Sequence, residues 1–235
     1  CPGRVVVHSF DHRALTRHAS DELLEPVRAM GFSPVKRVLT GRSPRMRRLY
    51  IHPGSGSRTK NWPAERFLEL FRAVEGTVET RIVLGEAEDD VAAFWREHAG
   101  EDRLCAGLDL VALSGEFRSG AWFAGNDSGP AHLAAFCGLE TFLLFGPTDP
   151  AVWAPFSGAF AVFRGADDCA PCGTHRAAAC PDRRCLNGVT ADEAHRFGLP
   201  CGGTLELLIE FDPDAGTLAE LLLALEGGKL MQRSV

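Results

Sequence analysis

The amino-acid sequence predicts an α/β fold, a parallel sheet with helices on both faces. Three observations carry the prediction. Strands alternate with helices from Leu49 onward. The strands are apolar along their whole length rather than at every second residue, as strands covered on both sides are. The glycine-, proline- and serine-containing motifs fall directly after strands, where open parallel sheets bind their ligands.

The elements follow in chain order. Residues 4–7 (RVVV) read as a strand. Residues 13–30 read as a helix with Leu15, Leu23, Leu24 and Val27 roughly on one face, stopped by Gly31. Residues 33–48 hold Pro34, Gly41, Pro44 and six basic residues without an apolar period, and read as a linker. Its charge is either a solvated face or an attraction for an anionic acceptor. LYIH (49–52) is a strand, and Pro63 opens a helix that runs to Val74 with Phe67, Leu68, Phe71 and Val74 on one face. TRIVL (80–84) is the next strand. Glu86 to Ala99 is helical, with acidic residues early, where the helix dipole favours them. DLVALSG (109–115) is a short helix, AWFAG (121–125) a strand, Gly129 to Cys137 a helix, and TFLLF (141–145) a strand. A further helical run covers Leu218–Leu225.

Composition narrows the class. With 235 residues, 45% hydrophobic and 24% charged, the chain can bury a core as one large or two small domains. No apolar run approaches the roughly 18 residues of a membrane span, and no secretory signal pattern opens the chain. A net charge of −6 argues against general nucleic-acid binding. Arginine outnumbers lysine 22 to 3, which draws attention to each lysine. The chain starts at Cys1 rather than Met, so a processed chain or a fragment is expected.

Four strand-end loops carry the candidate chemistry. In HPGSGSRTKNWP (52–63), Gly54 and Gly56 permit a tight turn, Ser55 and Ser57 offer hydroxyls, and Lys60 offers a mobile cation before a helix N-terminus. The loop matches neither the P-loop nor the dinucleotide fingerprint, and it reads either as a phosphate site or as a plain connection. In GNDSGPAHLAA (125–135), cap-type residues precede a helix whose N-terminus can face an anion. Asp127 either caps that helix or binds a sugar hydroxyl. Ser128 and Gly129 lie at the helix mouth, and His132 is either structural or faces the ligand. The spacing is wrong for a serine-hydrolase elbow. In FGPTDP (145–150), Thr148 either donates to a phosphate or merely belongs to a rigid turn. In LGEAEDD (84–90), Glu88 or Glu86 either accepts from ribose hydroxyls or starts a solvated helix. Separately, Cys169, Cys172, Cys180 and Cys185 are open to three readings: a zinc site, disulfides, or reduced structural thiols with Arg183 and Arg184 alongside.

Taken together, HPGSGSRTKNWPAERF and FAGNDSGPAHLAAFCGLETFLLFGPTDPAVWAPF, with the cysteine segment before VTADEA, resemble glycosyltransferase family 9, the ADP-heptose:lipopolysaccharide heptosyltransferases. The resemblance covers about residues 11–195. It implies a Rossmann-like domain, the C-terminal donor-binding half of a GT-B glycosyltransferase. Residues 1–48 would be the tail of a truncated N-terminal domain and the interdomain linker. Residues 49–200 would be the nucleotide-sugar domain, and 201–235 a C-terminal segment with a returning helix. Lys60 would meet donor phosphate, with Ser55 and Ser57 along the same loop. Glu88, or Glu86 if the loop registers differently, would hold ribose, and Asp127, Ser128, Gly129 and His132 would surround the diphosphate and sugar. The catalytic base, an early Asp of the missing N-terminal domain, is expected upstream of Cys1.

The resemblance also implies inverting transfer of a heptose-type sugar without a required cofactor or metal. The donor would be ADP-heptose or similar and the acceptor lipid-linked or an oligosaccharide of lipopolysaccharide-core type, in the bacterial cytoplasm or at the inner face of the inner membrane. The rival readings are a nucleotide-sugar-binding module without turnover and a cysteine-rich zinc module for partner binding.

Overall fold

Six parallel strands form one sheet in the order β3-β2-β1-β4-β5-β6. They are β1 Arg48–His52, β2 Glu79–Leu84, β3 Leu104–Ala106, β4 Trp122–Asn126, β5 Glu140–Leu144 and β6 Phe160–Phe163. The computed structural model describes residues 15, 17–35, 46–156, 159–165 and 169–191. All of them belong to the first of two compact units, Cys1–Leu205. The order and the uniform direction are those of a doubly wound, Rossmann-like sheet.

The strands are apolar throughout because alternate residues enter two different cores. Leu49, Ile51, Ile82, Leu84, Phe142 and Leu144 pack with Phe67 and Phe71 of α2 (Ala64–Val74) and Trp95 of α3 (Asp89–Ala99). Tyr50, Val83, Phe123 and Leu143 pack with Leu113 and Phe117 of α4 (Leu110–Ser119) and Ala131 and Ala134 of α5 (Gly129–Phe136). Both faces are therefore covered, as the sequence predicts.

The helices begin where short polar side chains can cap them. The Asp109 carboxylate accepts from the Ala112 N–H at 2.8 Å, and the Ser128 hydroxyl accepts from the Ala131 N–H at 3.4 Å. Pro63 stands one residue outside α2, as its cap.

Several expectations differ from the structure. Strands β3 and β6 lie where no strand is expected. Each is short and sits at a sheet edge with partly exposed residues, so neither shows the apolar run of a central strand. The first helix, α1, spans Ala19–Ala29, because His18 already stands in its N-cap position. Leu23 on it is 59% exposed, whereas Leu24 and Val27 of the expected apolar stripe are half-buried. Gly31 has φ +88°, the left-handed conformation its stop position requires. Arg48 belongs to β1 rather than to a solvated linker. Its side chain is 11% exposed and pairs with Glu79 at 2.9 Å and Glu116 at 3.4 Å. The RVVV segment, linker residues 36–45 and the Leu218–Leu225 run lie outside the described residues.

Candidate functional site

The central strands β1 and β4 are neighbours, paired from Leu49↔Trp122 to His52↔Gly125. The chain leaves β1 toward β2 and leaves β4 toward β5, on opposite sides. Their carboxyl ends therefore bracket the switch point of the sheet, where a crevice opens and ligands of such sheets bind. The two most distinctive motifs of the sequence lie there.

Asn126 ties the two loops together. It is fully buried, donates through Nδ2 to the carbonyls of Pro53 (2.8 Å) and Gly54 (3.2 Å), and accepts from the Trp62 N–H at 2.9 Å. The loop after β1 is further shaped from within. The Ser55 hydroxyl lies 2.8 Å from the Ser57 carbonyl and 2.5 Å from Asn61 Oδ1, and it accepts from the Ser57 N–H at 3.2 Å. The Ser57 hydroxyl pairs with that of Thr59 at 2.8 Å. Both serines thus hold the loop rather than project freely from it.

Lys60 crosses the crevice. Its ammonium donates to the Asp127 carbonyl at 2.8 Å and to Asp127 Oδ2 at 3.2 Å. Thr148, on the loop after β5, donates its hydroxyl to the same Oδ2 at 2.8 Å. Three loops thus meet on one carboxylate. Asp127 does not cap α5, since Ser128 does. Arg164, just after β6, donates to the Thr148 carbonyl at 3.0 Å, and its buried Nε has no acceptor among the described residues.

In the loop after β2, Glu88 lies 3% exposed and accepts from the Gly85 N–H at 2.8 Å. A Cβ on Gly54 would overlap its carboxylate, so this close approach requires glycine. Glu86, by contrast, is exposed. His52 is buried beside them, and its Nδ1 lies 3.0 Å from the Val83 carbonyl. Burial lowers its pKa; that carbonyl and Glu88 oppose the shift. Glu88 and His52 border a cavity of about 260 Å³ whose other walls include Leu108, Leu110, Leu113 and Pro130. That volume lies below the ~300–1,000 Å³ of pockets that enclose a whole ligand, so it suits one moiety of a larger molecule. Leu108 and, on α4, Leu110 and Leu113 were not among the expected site residues; apolar side chains around a helix start look like ordinary core. A recess of about 370 Å³ lined by Thr77, Glu79, Arg81 and Asp102 opens at the opposite, amino-terminal end of β2, away from every motif of the sequence.

Ser128 and Gly129 also line the cavity, at the N-terminus of α5. His132, one turn further, is exposed in part. Desolvation by the surrounding protein is the largest influence on it and lowers its pKa. Asp127 and the Trp153 backbone oppose this, and His18 and Lys60 reinforce it.

Among the described residues no group of three or more His, Cys, Asp or Glu is placed to hold a metal ion. Cys172 and Cys180 are free thiols, so the four cysteines are not all paired as disulfides. The cysteine segment abuts the crevice: Arg183 Nη1 donates to the Arg58 carbonyl at 2.8 Å, next to Lys60. Arg183 adopts φ +45°, and its N–H lies 3.4 Å from Cys180 Sγ.

Comparison with known proteins gives a consistent result. The profile of glycosyltransferase family 9 (heptosyltransferase) matches residues 33–180. Lipopolysaccharide heptosyltransferase 1 of Pseudomonas aeruginosa is 33% identical over 138 residues, covering 53% of this chain and 35% of that protein. A family 9 glycosyl transferase from Veillonella parvula superposes with a TM-score of 0.58 at 18% identity, covering 77% of this chain and 59% of that one. E. coli heptosyltransferase WaaC with ADP gives 0.55 at 18% identity, covering 80% and 57%. At that identity the solved structures bear on the fold alone. The chain spans about a third of the curated relative's length and under two thirds of these structures.

Proposed function

The chain belongs to glycosyltransferase family 9, and we propose that it carries the donor site of a heptosyltransferase-type enzyme acting on an ADP-heptose-like sugar nucleotide. The observation that carries the proposal is the partly buried Lys60 cation at the switch point, beside the N-terminus of α5. A lysine and a helix N-terminus together are an anion site. In this reading the base and ribose occupy the leucine-walled cavity with Glu88 on the ribose. The diphosphate lies at Lys60, Ser128 and Gly129, and the sugar lies over Asp127 and Thr148. The WaaC structures of similar fold were obtained with ADP and with ADP-2-deoxy-2-fluoro heptose, ligands of the class proposed here.

Transfer would be inverting. An acceptor hydroxyl oxygen attacks the anomeric carbon and a base removes its proton. The bond from that carbon to the phosphate oxygen breaks, and ADP leaves with the electron pair. Lys60 and the α5 dipole stabilise the charge that develops on the leaving diphosphate. The base is assigned outside the described residues. The acceptor is a lipid-linked or oligosaccharide core of lipopolysaccharide type, met at the cytoplasmic face of the inner membrane. No helix among the described residues is long and apolar enough to cross a membrane.

A second reading is binding without turnover. Asp127 is committed to Lys60 and Thr148, and Glu88 to Gly85, so neither carboxylate is held ready as a base. Heptose transfer by this chain alone would set that reading aside.

Calorimetric titration with an ADP-sugar tests the donor site. Lys60→Ala is expected to cost about 2 kcal/mol, more than tenfold in affinity, as a charge-assisted phosphate bond is lost. Arg58→Ala should cost far less, because the Arg58 side chain is 84% exposed and pairs with Asp90. Equal affinities for the two variants would reduce the loop to a connection.

A further inference from the structure

We infer that Asp127 is a specificity-determining residue that makes this site favour a sugar-loaded nucleotide over the bare nucleoside diphosphate. The inference rests on the donor reading above. Its starting point is that one cation, Lys60, has two claimants. The ammonium lies 3.2 Å from Asp127 Oδ2, with side chains 16% and 6% exposed respectively. It is also the group the diphosphate would take.

Consider a bare diphosphate entering. It draws the ammonium toward itself. The Asp127 carboxylate keeps only the Thr148 hydroxyl, 2.8 Å from Oδ2, among the described partners. A buried carboxylate stripped of its cation is costly, and it then faces a terminal phosphate that is itself anionic. The two charges are poorly screened at such a site.

A sugar nucleotide changes both terms. Esterification removes the extra charge of the terminal phosphate. The sugar places hydroxyl groups, each a hydrogen-bond donor, beside a carboxylate that can only accept. The same side chain therefore disfavours the product of transfer and suits the substrate. The alternative, that Asp127 is present to cap α5, does not hold, because the Ser128 hydroxyl fills that role.

The test titrates the full chain with three ligands: ADP, its β-methyl ester and an ADP-sugar. On the unaltered chain the ADP-sugar should bind at least about tenfold tighter than ADP, with the methyl ester between them. Asp127→Asn keeps the shape and removes the charge. It should tighten ADP by about fivefold or more and bring ADP and ADP-sugar to similar affinities. A purely structural aspartate would not strengthen ADP binding when lost. ADP bound equally or more weakly by the folded Asn variant overturns the inference. If that variant does not fold, the three ligands on the unaltered chain decide, and equal affinity for ADP and ADP-sugar overturns it there. Binding of ADP without sugar preference leaves the donor reading standing, whereas binding of none of the three ligands overturns both.

Discussion

His52 stands where β1 ends and the crevice begins, buried to 3% exposure. Burial holds its pKa below the ordinary 6.5, and partial desolvation does the same to His132. The unfolded chain therefore binds protons that the folded chain resists. Their contribution to stability is present above about pH 6.5 and is lost as pH drops below it. Thermal unfolding followed from pH 7.5 to 5.5 should show a falling midpoint, and His52→Asn should flatten the slope. A slope unchanged by the substitution would remove His52 from the account. Residues of unusual chemistry were the legible ones. Lys60 is one of three lysines in the chain, and it lies in the crevice. Arg48 misled, because a run of basic residues reads as solvated surface. Burial opposes its charge, yet the Tyr50 hydroxyl and Glu79 overcome this and raise its pKa further.

At the scale of elements, the loops after β1 and β4 act as one piece because Asn126 joins them. Asn126→Ala would leave the Trp62 N–H and the Pro53 and Gly54 carbonyls without their partner. Each buried polar group left unsatisfied costs about 1–3 kcal/mol, so denaturant unfolding should show a loss of at least that size. Nucleotide affinity should fall with it, since the Lys60 loop loses its anchor; unchanged affinity would mean that the loop holds its shape by itself. The central strands were legible because both faces are buried, which leaves a continuous apolar signature. The edge strands β3 and β6 were not, because each is three or four residues long and partly exposed. The leucine wall of the cavity was hidden for a related reason. Leu110 is 75% exposed, and nothing in a lone apolar residue tells a ligand wall from a core contact. Thr148 was placed in the site, but its partner Asp127, 21 residues earlier, is a fact of topology rather than of local sequence.

Over the whole molecule, the strand order that makes the crevice also sets when it can exist. β1 pairs with β2 soon after it is made, but its other neighbour is β4. Trp62 records the delay. Its backbone N–H needs Asn126, 64 residues on, and its indole N–H needs the Val189 carbonyl, 127 residues on, at 3.1 Å. Contacts so distant along the chain carry a large loop-closure cost and form late. Refolding followed by a fluorescent ADP analogue should therefore show binding competence arriving with the slowest phase of tryptophan fluorescence, not with early helix formation. Competence in an early phase would mean that the loop after β1 takes its final shape before β4 arrives. In temporal terms, the site is the last part of the fold to come into being, and a chain that binds donor is one in which the tract from β1 to Val189 has already found its place.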